Sequence, residues 1–344
     1  MNLSVLCFGE IVSDLIDGGN GGLVCKVGGA PLNVAVALKR LGERCALVSS
    51  VGGDWFGANA VSYLKSNGIK HFVETIPATA TRTAVISHDR KKERAFQFSP
   101  GIAAENALSA RQIESVKSPR FGVLYFGSFP FARGKSLSAF KRFVCRARKS
   151  GIYTVFDPNI RLSVFDSADS ARAICKELAA ISDVVRLNVD EILLLTGVAA
   201  SSGRRMAAIE KAASVLTVMG PRVAFITDGG NGSYMYHDGR CEHQEPFQVR
   251  AVDTTGCGDA FTAAVIAKYF NKGRLGFAQP TEILRWANAA GALAATRLGG
   301  ADSMPTKIQI ENFIESRSRG GDKGKKKVLS TEMSTRFKSK GRIT

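Results

Sequence analysis

Between Val123 and Thr227 the chain repeats one unit: a short, almost wholly apolar run, then a segment of helical length and polarity. The runs are Val123–Phe126, Tyr153–Phe156, Val184–Asn188 and Val223–Thr227, with a helix expected over Ser136–Lys149 and further helices between the later runs. Runs of four or five apolar residues without polar alternation suit strands covered on both faces, and strands joined through helices run parallel. The repeat therefore predicts an α/β fold, a doubly wound and mostly parallel sheet flanked by helices. Leu3–Gly9 and Ala46–Val51 read as further buried strands, and Asn59–Ser66 as a helix stopped by Asn67-Gly68. Two stretches break the repeat, about 10–27 and 71–98, where polar and β-branched residues alternate around reversals at Gly18–Gly22 and Asp89–Lys92. These predict a small β-sheet lid.

This many residues can form one α/β domain, expected over 1–316. Residues 317–344 hold ten Lys/Arg against Asp322 and Glu332, so they carry +8 of the net +17. They are polar, Gly/Ser/Lys-rich and poor in aromatics, which predicts a disordered tail. Such a tail could bind nucleic acid or acidic surfaces weakly through charge, or could be solvated with no partner. No apolar run reaches the roughly 18 residues of a membrane span. Met1–Phe8 has no basic region and Glu10 arrives too early for a signal peptide. Seven cysteines, an odd number without a C-x-x-C pair, suit reduced thiols and a cytoplasmic setting. The four histidines form no metal set, and His237 and His243 are expected at the surface.

In open α/β sheets ligands bind beyond the carboxyl ends of the strands, and the candidate motifs each follow a predicted strand. The most informative is Asp253-Thr254-Thr255-Gly256-Cys257-Gly258-Asp259-Ala260-Phe261, which empties into an apolar helix ending near Phe270. Small residues at 256–258 let backbone approach a ligand, and the unpartnered amides of a helix start attract phosphate. Asp259 beside such an anion suits a base that takes a proton from an attacking hydroxyl; it could equally cap the helix. Asn188 and Glu191 stand three apart at a strand-to-helix junction, so they share a face and could hold Mg²⁺ through its waters, or form a capping pair. Thr227-Asp228-Gly229-Gly230-Asn231-Gly232 supplies a hydroxyl and a Gly-rich turn, and could also be a simple hairpin. Asp157-Pro158-Asn159-Ile160-Arg161 ends in a planar guanidinium suited to phosphate or sugar oxygens. Gly127 to Ser136 ends in Gly-Lys-Ser but has six residues between its glycines, including Pro130, so it is no Walker A loop.

Taken together, these strings resemble the ribokinase-like, or PfkB, sugar kinases over about Val5 to Ile310, the fructokinases most closely. The resemblance implies that Gly256, Cys257 and Gly258 form an anion hole with Asp259 as catalytic base; Cys257 replaces a residue that is often Ala. It implies nucleotide contacts from Asn188, Thr227, Gly229 and Gly232, with Asn288 beside the adenine. Mg²⁺ would lie near Asn188 and Glu191, and a monovalent cation such as K⁺ near Asp253. Sugar contacts would come from Asp14, Gly29, Asn33 and Arg161. Val51-Gly52-Gly53-Asp54-Trp55-Phe56-Gly57 matches a family string that reads as structural. Ala30-Pro31 stands where ribokinases carry a Gly-Gly-Lys-Gly string and kinases of phosphorylated sugars a Lys-rich one. The expected reaction is thus ATP-dependent phosphorylation of a free sugar, fructose to fructose 6-phosphate. Ribose, a ketodeoxy sugar acid, inositol or a nucleoside are alternative acceptors. A homodimer through the lid is a further expectation. The non-enzyme alternative is an idle fructokinase-like scaffold that binds nucleic acid through the tail.

Overall fold

The computed structural model describes residues 4–17, 22–88, 94–116, 121–133, 135–199, 205–270 and 279–318. The expected reversal at 18–22, except Gly22, the reversal at 89–92 and nearly all of the basic tail lie outside them. The strands, in chain order, are β1 (Ser4–Phe8), β2 (Val12–Asp17), β3 (Leu23–Gly28), β4 (Arg44–Gly52), β5 (Lys70–Ile76), β6 (Arg82–His88), β7 (Arg94–Phe98), β8 (Val123–Phe126), β9 (Tyr153–Phe156), β10 (Val184–Asn188), β11 (Val223–Thr227), β12 (Ser233–His237) and β13 (Arg240–Gln244). The helices are α1 (Ala30–Arg40), α2 (Trp55–Ser66), α3 (Ala110–Ser115), α4 (Leu137–Lys149), α5 (Ala168–Ala180), α6 (Val189–Thr196), α7 (Arg205–Val218), α8 (Cys257–Tyr269), α9 (Pro280–Ala295) and α10 (307–318).

Nine strands form one sheet in the order β13-β12-β11-β10-β9-β8-β1-β4-β5, parallel from β11 to β5, with β12 and β13 antiparallel at one edge. Alternation of side chains along each strand sorts the core into two layers. Val5 and Cys7 of β1 face a layer with α1, α8 and α9; Leu6 and Phe8 face another with α4 to α7. The α/β expectation holds. The strand order reverses at β1, which has β4 on one side and β8 on the other, so the loops after β1 and β8 part and leave a crevice.

The lid is a four-stranded sheet, β3-β2-β6-β7. The chain enters it after Gly9, leaves at Gly29, re-enters at Thr81 and leaves again after Phe98. One expectation is corrected here: residues 71–76 do not belong to the lid. They lie in β5, paired with β4 along the margin of the large sheet. An edge strand has one flank in water, so β5 shows the alternating exposure that its sequence shares with the lid. Gln248–Val252, the stretch leading into the Asp253–Phe261 motif, is not paired in either sheet. Helix α10 runs to 318, two residues into the expected tail, and Arg317 donates to Gln248 O at 3.3 Å. Among the described residues no helix is long and apolar enough to cross a membrane.

Candidate active site

Helix α8 is buried along most of its length, and its start is fixed by packing. Gly256 precedes the helix at φ 83°; a Cβ there would stand 2.9 Å from Met304 Cε and 3.1 Å from Gly300 Cα. A left-handed backbone in so narrow a space requires glycine. Cys257 N–H closes a turn onto Thr254 O at 3.2 Å, so of the three expected anion-hole amides this one already has a partner. The amides of Gly258 and Asp259 follow, with no carbonyl one turn back within the helix.

Asp259 sits in this first turn and accepts from Asn33 Nδ2 at 2.7 Å. Burial pushes its carboxyl up to about 6, opposed by the Asn33 hydrogen bond and by Arg186 and Arg161, while Asp157 adds to the rise. Asn33 stands in the first turn of α1, its N–H on Gly29 O at 2.9 Å. Gly29 has φ 103°, and a Cβ would fall 2.6 Å from Glu10 O. Asp14 reaches over from β2; its Oδ2 would lie 2.6 Å from a Cβ on Gly28. Asp14, Gly29, Asn33, Arg161 and Asp259 line one cleft of about 270 Å³ together with Glu10 and the aromatic wall Phe96, Phe98 and Phe129. The expected sugar residues are brought together. Arg161 lies over the Phe96 ring, 5.6 Å from its centroid.

A second cleft, of about 350 Å³, is lined by Thr227, Gly229, Gly232, Phe247, Cys257 and Asn288 among others. Gly232 (φ 95°) passes so close to β13 that a Cβ would meet Gln244 O at 2.2 Å. Asn288 Nδ2 donates to Gln244 O and Glu245 O at 3.2 and 3.1 Å, so its amide also ties α9 to the end of β13. Burial pushes the Cys257 thiol up to about 12, which leaves it a neutral wall group. The two clefts share Thr254, Gly258 and Arg186.

Asn188 and Glu191 form a reciprocal cap on α6: Glu191 N–H donates to Asn188 Oδ1 and Asn188 N–H to Glu191 Oε2, both at 2.8 Å. Glu191 Oε1 accepts from Ile160 N–H at 2.7 Å, binding the Arg161 loop to this junction. Both carboxylate oxygens thus serve backbone amides, and burial raises the group's pKa. Asp253 is likewise occupied, accepting from Thr255 N–H at 2.6 Å and Gly299 N–H at 2.8 Å. No group of three or more His, Cys, Asp or Glu among the described residues could hold a metal ion.

Sequence reasoning missed four contributors. Glu10 is 3% exposed; its Oε1 accepts from Ala30 N–H at 3.2 Å, and burial pushes its carboxyl up to about 8. Arg186, within the Asn188 string, points to the clefts and pairs with Asp157. Arg82 and Glu105 form a buried ion pair at 2.7 Å between lid strand β6 and the body. A charged residue inside or directly after an apolar strand was the available signal for the first two.

A doubly wound sheet with a lid, an acid at a Gly-rich helix start and two clefts meeting there define a small-molecule kinase. Residues 2–307 match the model of the pfkB family carbohydrate kinases, and the chain belongs to that family. It is 30% identical over 308 residues to a fructokinase of Vibrio alginolyticus, covering 89% of this chain and 97% of that one. A fructokinase double mutant from Vibrio cholerae, solved with fructose, ADP and potassium, superposes with a TM-score of 0.81 at 26% identity, covering 90% of this chain and 98% of that one. The aminoimidazole riboside kinase of Salmonella enterica shares the fold, with a TM-score of 0.77 at 23% identity over 90% of this chain and 99% of that one. The chain is thus an ATP-dependent sugar kinase of this family.

Proposed function

We propose that the acceptor is a free ketohexose, fructose going to fructose 6-phosphate. The observation that carries this reading is the Asn33–Asp259 hydrogen bond, which holds a carboxylate at the α8 start in the cleft that also presents Asp14. Buried carboxylates select polyols, because a hydroxyl they cannot match leaves a costly unpaired group. The cleft sets Asp14 and Asp259 against Arg161 and Arg186, with no lysine among its described lining, a balance that favours an uncharged sugar over a sugar phosphate. In this reading Asp259 takes the proton of the primary hydroxyl, whose oxygen attacks the γ-phosphorus of ATP. The amides at Gly258 and Asp259 bind the charge of the transferring group. ATP occupies the second cleft, between the Thr227–Gly232 turn and Asn288.

Mg²⁺ would supply charge neutralisation on the phosphates. The donors here fit it through its waters, since Glu191 and Asn188 Oδ1 are held by backbone amides. A monovalent ion beside Asp253, as potassium accompanies the Vibrio cholerae fructokinase, belongs to the same proposal. Exposed Leu23, Val24 and Val85 support a homodimer through the lid. A second reading, a riboside acceptor, draws on the aromatic wall Phe96, Phe98 and Phe129. Assay of ADP release with a panel of fructose, ribose, inositol, ketodeoxy sugar acids and nucleosides separates the two. Turnover greatest on a riboside would replace fructose. Failure on every acceptor, with salt-sensitive nucleic-acid binding that is lost on removing 317–344, would instead support the scaffold alternative.

A further inference from the structure

We infer that Arg186 is a catalytic residue of the phosphoryl transfer, contacting the transferring group from β10, on the same side of the sheet as the amides of α8. Three observations carry this. First, Arg186 is one of three residues common to both clefts, and its guanidinium lies against the helix start: a Cβ on Gly258 would stand 2.7 Å from one terminal nitrogen and 2.9 Å from the other. Second, the residue is 8% exposed yet incompletely satisfied. Nη2 donates to Thr227 Oγ1 at 2.8 Å, but Nη1 reaches the Asp157 oxygens only at 3.4 Å, and Nε has no partner among the described residues. Charge-assisted pairs close to about 2.7–2.9 Å, and a guanidinium offers five donors, so Asp157 aligns this one without saturating it. Third, Asp157 is itself fixed, accepting from Thr262 Oγ1 of α8 at 2.9 Å. Asp157 and Thr227 are therefore positioning residues that hold the fork at the junction of the clefts.

In the transfer, the acceptor oxygen bonds to the γ-phosphorus as the bond from that phosphorus to the bridging oxygen breaks. The bridging pair stays on ADP, and the acceptor's proton passes to Asp259. Negative charge on the moving group then lies between the α8 amides and the Arg186 guanidinium, where a preformed donor in a water-poor cleft is most effective.

The role rests on phosphoryl transfer and not on which sugar accepts, so it is tested with whichever panel sugar turns over fastest. Arg186→Met and Arg186→Lys are compared with wild type in steady-state kinetics and in calorimetric binding of ADP and AMP-PNP, with thermal melts to confirm folding. Expected for Arg186→Met is a fall in kcat of about 100-fold, AMP-PNP binding weakened about 10-fold and ADP affinity held within about 3-fold. Arg186→Lys restores charge without the fork and should recover about 10-fold of the lost kcat. A kcat within about 3-fold of wild type in Arg186→Met, or equal loss of ADP and AMP-PNP binding, would overturn the assignment. Wild-type protein that binds neither nucleotide defeats the kinase reading itself, and Arg186 with it.

Discussion

Asn33 and Asp259 stand 226 positions apart in the chain and meet through a 2.7 Å hydrogen bond, one from the first turn of α1 and the other from the first turn of α8. The donor stabilises the ionised acid, which burial would otherwise leave protonated over more of the neutral range.

Asp259 should set the acid limb of activity. With its pKa pushed up to about 6, the base is protonated and idle below that pH, so kcat/KM falls as pH drops through about 6. Asn33→Leu removes a contact that favours the charged form, and its acid limb should therefore move to higher pH. Asp259→Asn should lower kcat by about 10²–10⁴-fold while ADP binding persists. Steady-state pH profiles of the three proteins check this, and an unmoved limb in Asn33→Leu would detach the pair from the chemistry.

Glu10 predicts a slope in stability. Its folded pKa of about 8 lies above the ordinary 4.5, so between those values the folded chain binds more protons than the unfolded one. Stability is then greatest below about 4.5 and declines as pH rises through about 8. Glu10→Gln mimics the neutral acid and should flatten this part of the profile. Urea midpoints taken across that range read the difference; parallel curves for the two proteins would contradict it.

Gly256→Ala should cost about 1–3 kcal/mol, because alanine would have to adopt φ 83° and displace Met304 Cε and Gly300. Gly42→Ala serves as control, since it also has positive φ (89°) but no atom within 4 Å of its Cβ position. Denaturant titration should show the larger loss at 256, and only that variant should also lose turnover.

Arg82 and Glu105 are 3% and 1% exposed, and Arg82 also donates to Ser99 O, Gly101 O and Asn106 Oδ1. Removing one partner strands a buried charge. Glu105→Ala should therefore destabilise by about 3–5 kcal/mol and raise KM for the sugar, because Arg82 anchors the lid. Replacing both by Met and Leu should recover much of the loss in a thermal melt. A double variant no better than the single one would argue against a stranded charge.

What could be read from the sequence is what lies contiguous in it. Gly256, Gly258 and Asp259 form one helix start, so their joint geometry follows from local rules. The parallel core was equally legible, because covered strands are apolar throughout. Strand β5 was not: half-exposed edges and lids share one alternation, and only pairing with β4 tells them apart. The capping pair of Asn188 and Glu191 was foreseen as one of two options, and its geometry joins it to Ile160, 31 residues from Glu191. Arg186 escaped because its setting is assembled from the ends of β9 and β11 and from α8, none of them adjacent to it in sequence. Glu10 and Glu105 escaped for a similar reason, since carboxylates buried by distant elements leave no periodic trace.

The lid is spliced into the body by four separate crossings of the chain, at Gly9, Gly29, Thr81 and just beyond Phe98. A flap on one tether can swing or fray by itself; a plate held by four cords can only rock, and all four joints must yield together. Two of those joints are glycines wedged against backbone or proline, and the third is clasped by Asp54, which accepts from both Thr81 N–H and its hydroxyl at 2.7 Å. Small substitutions far from the reacting atoms, at the foot of the plate, would thus shift the tilt at which Asp14 faces the cleft.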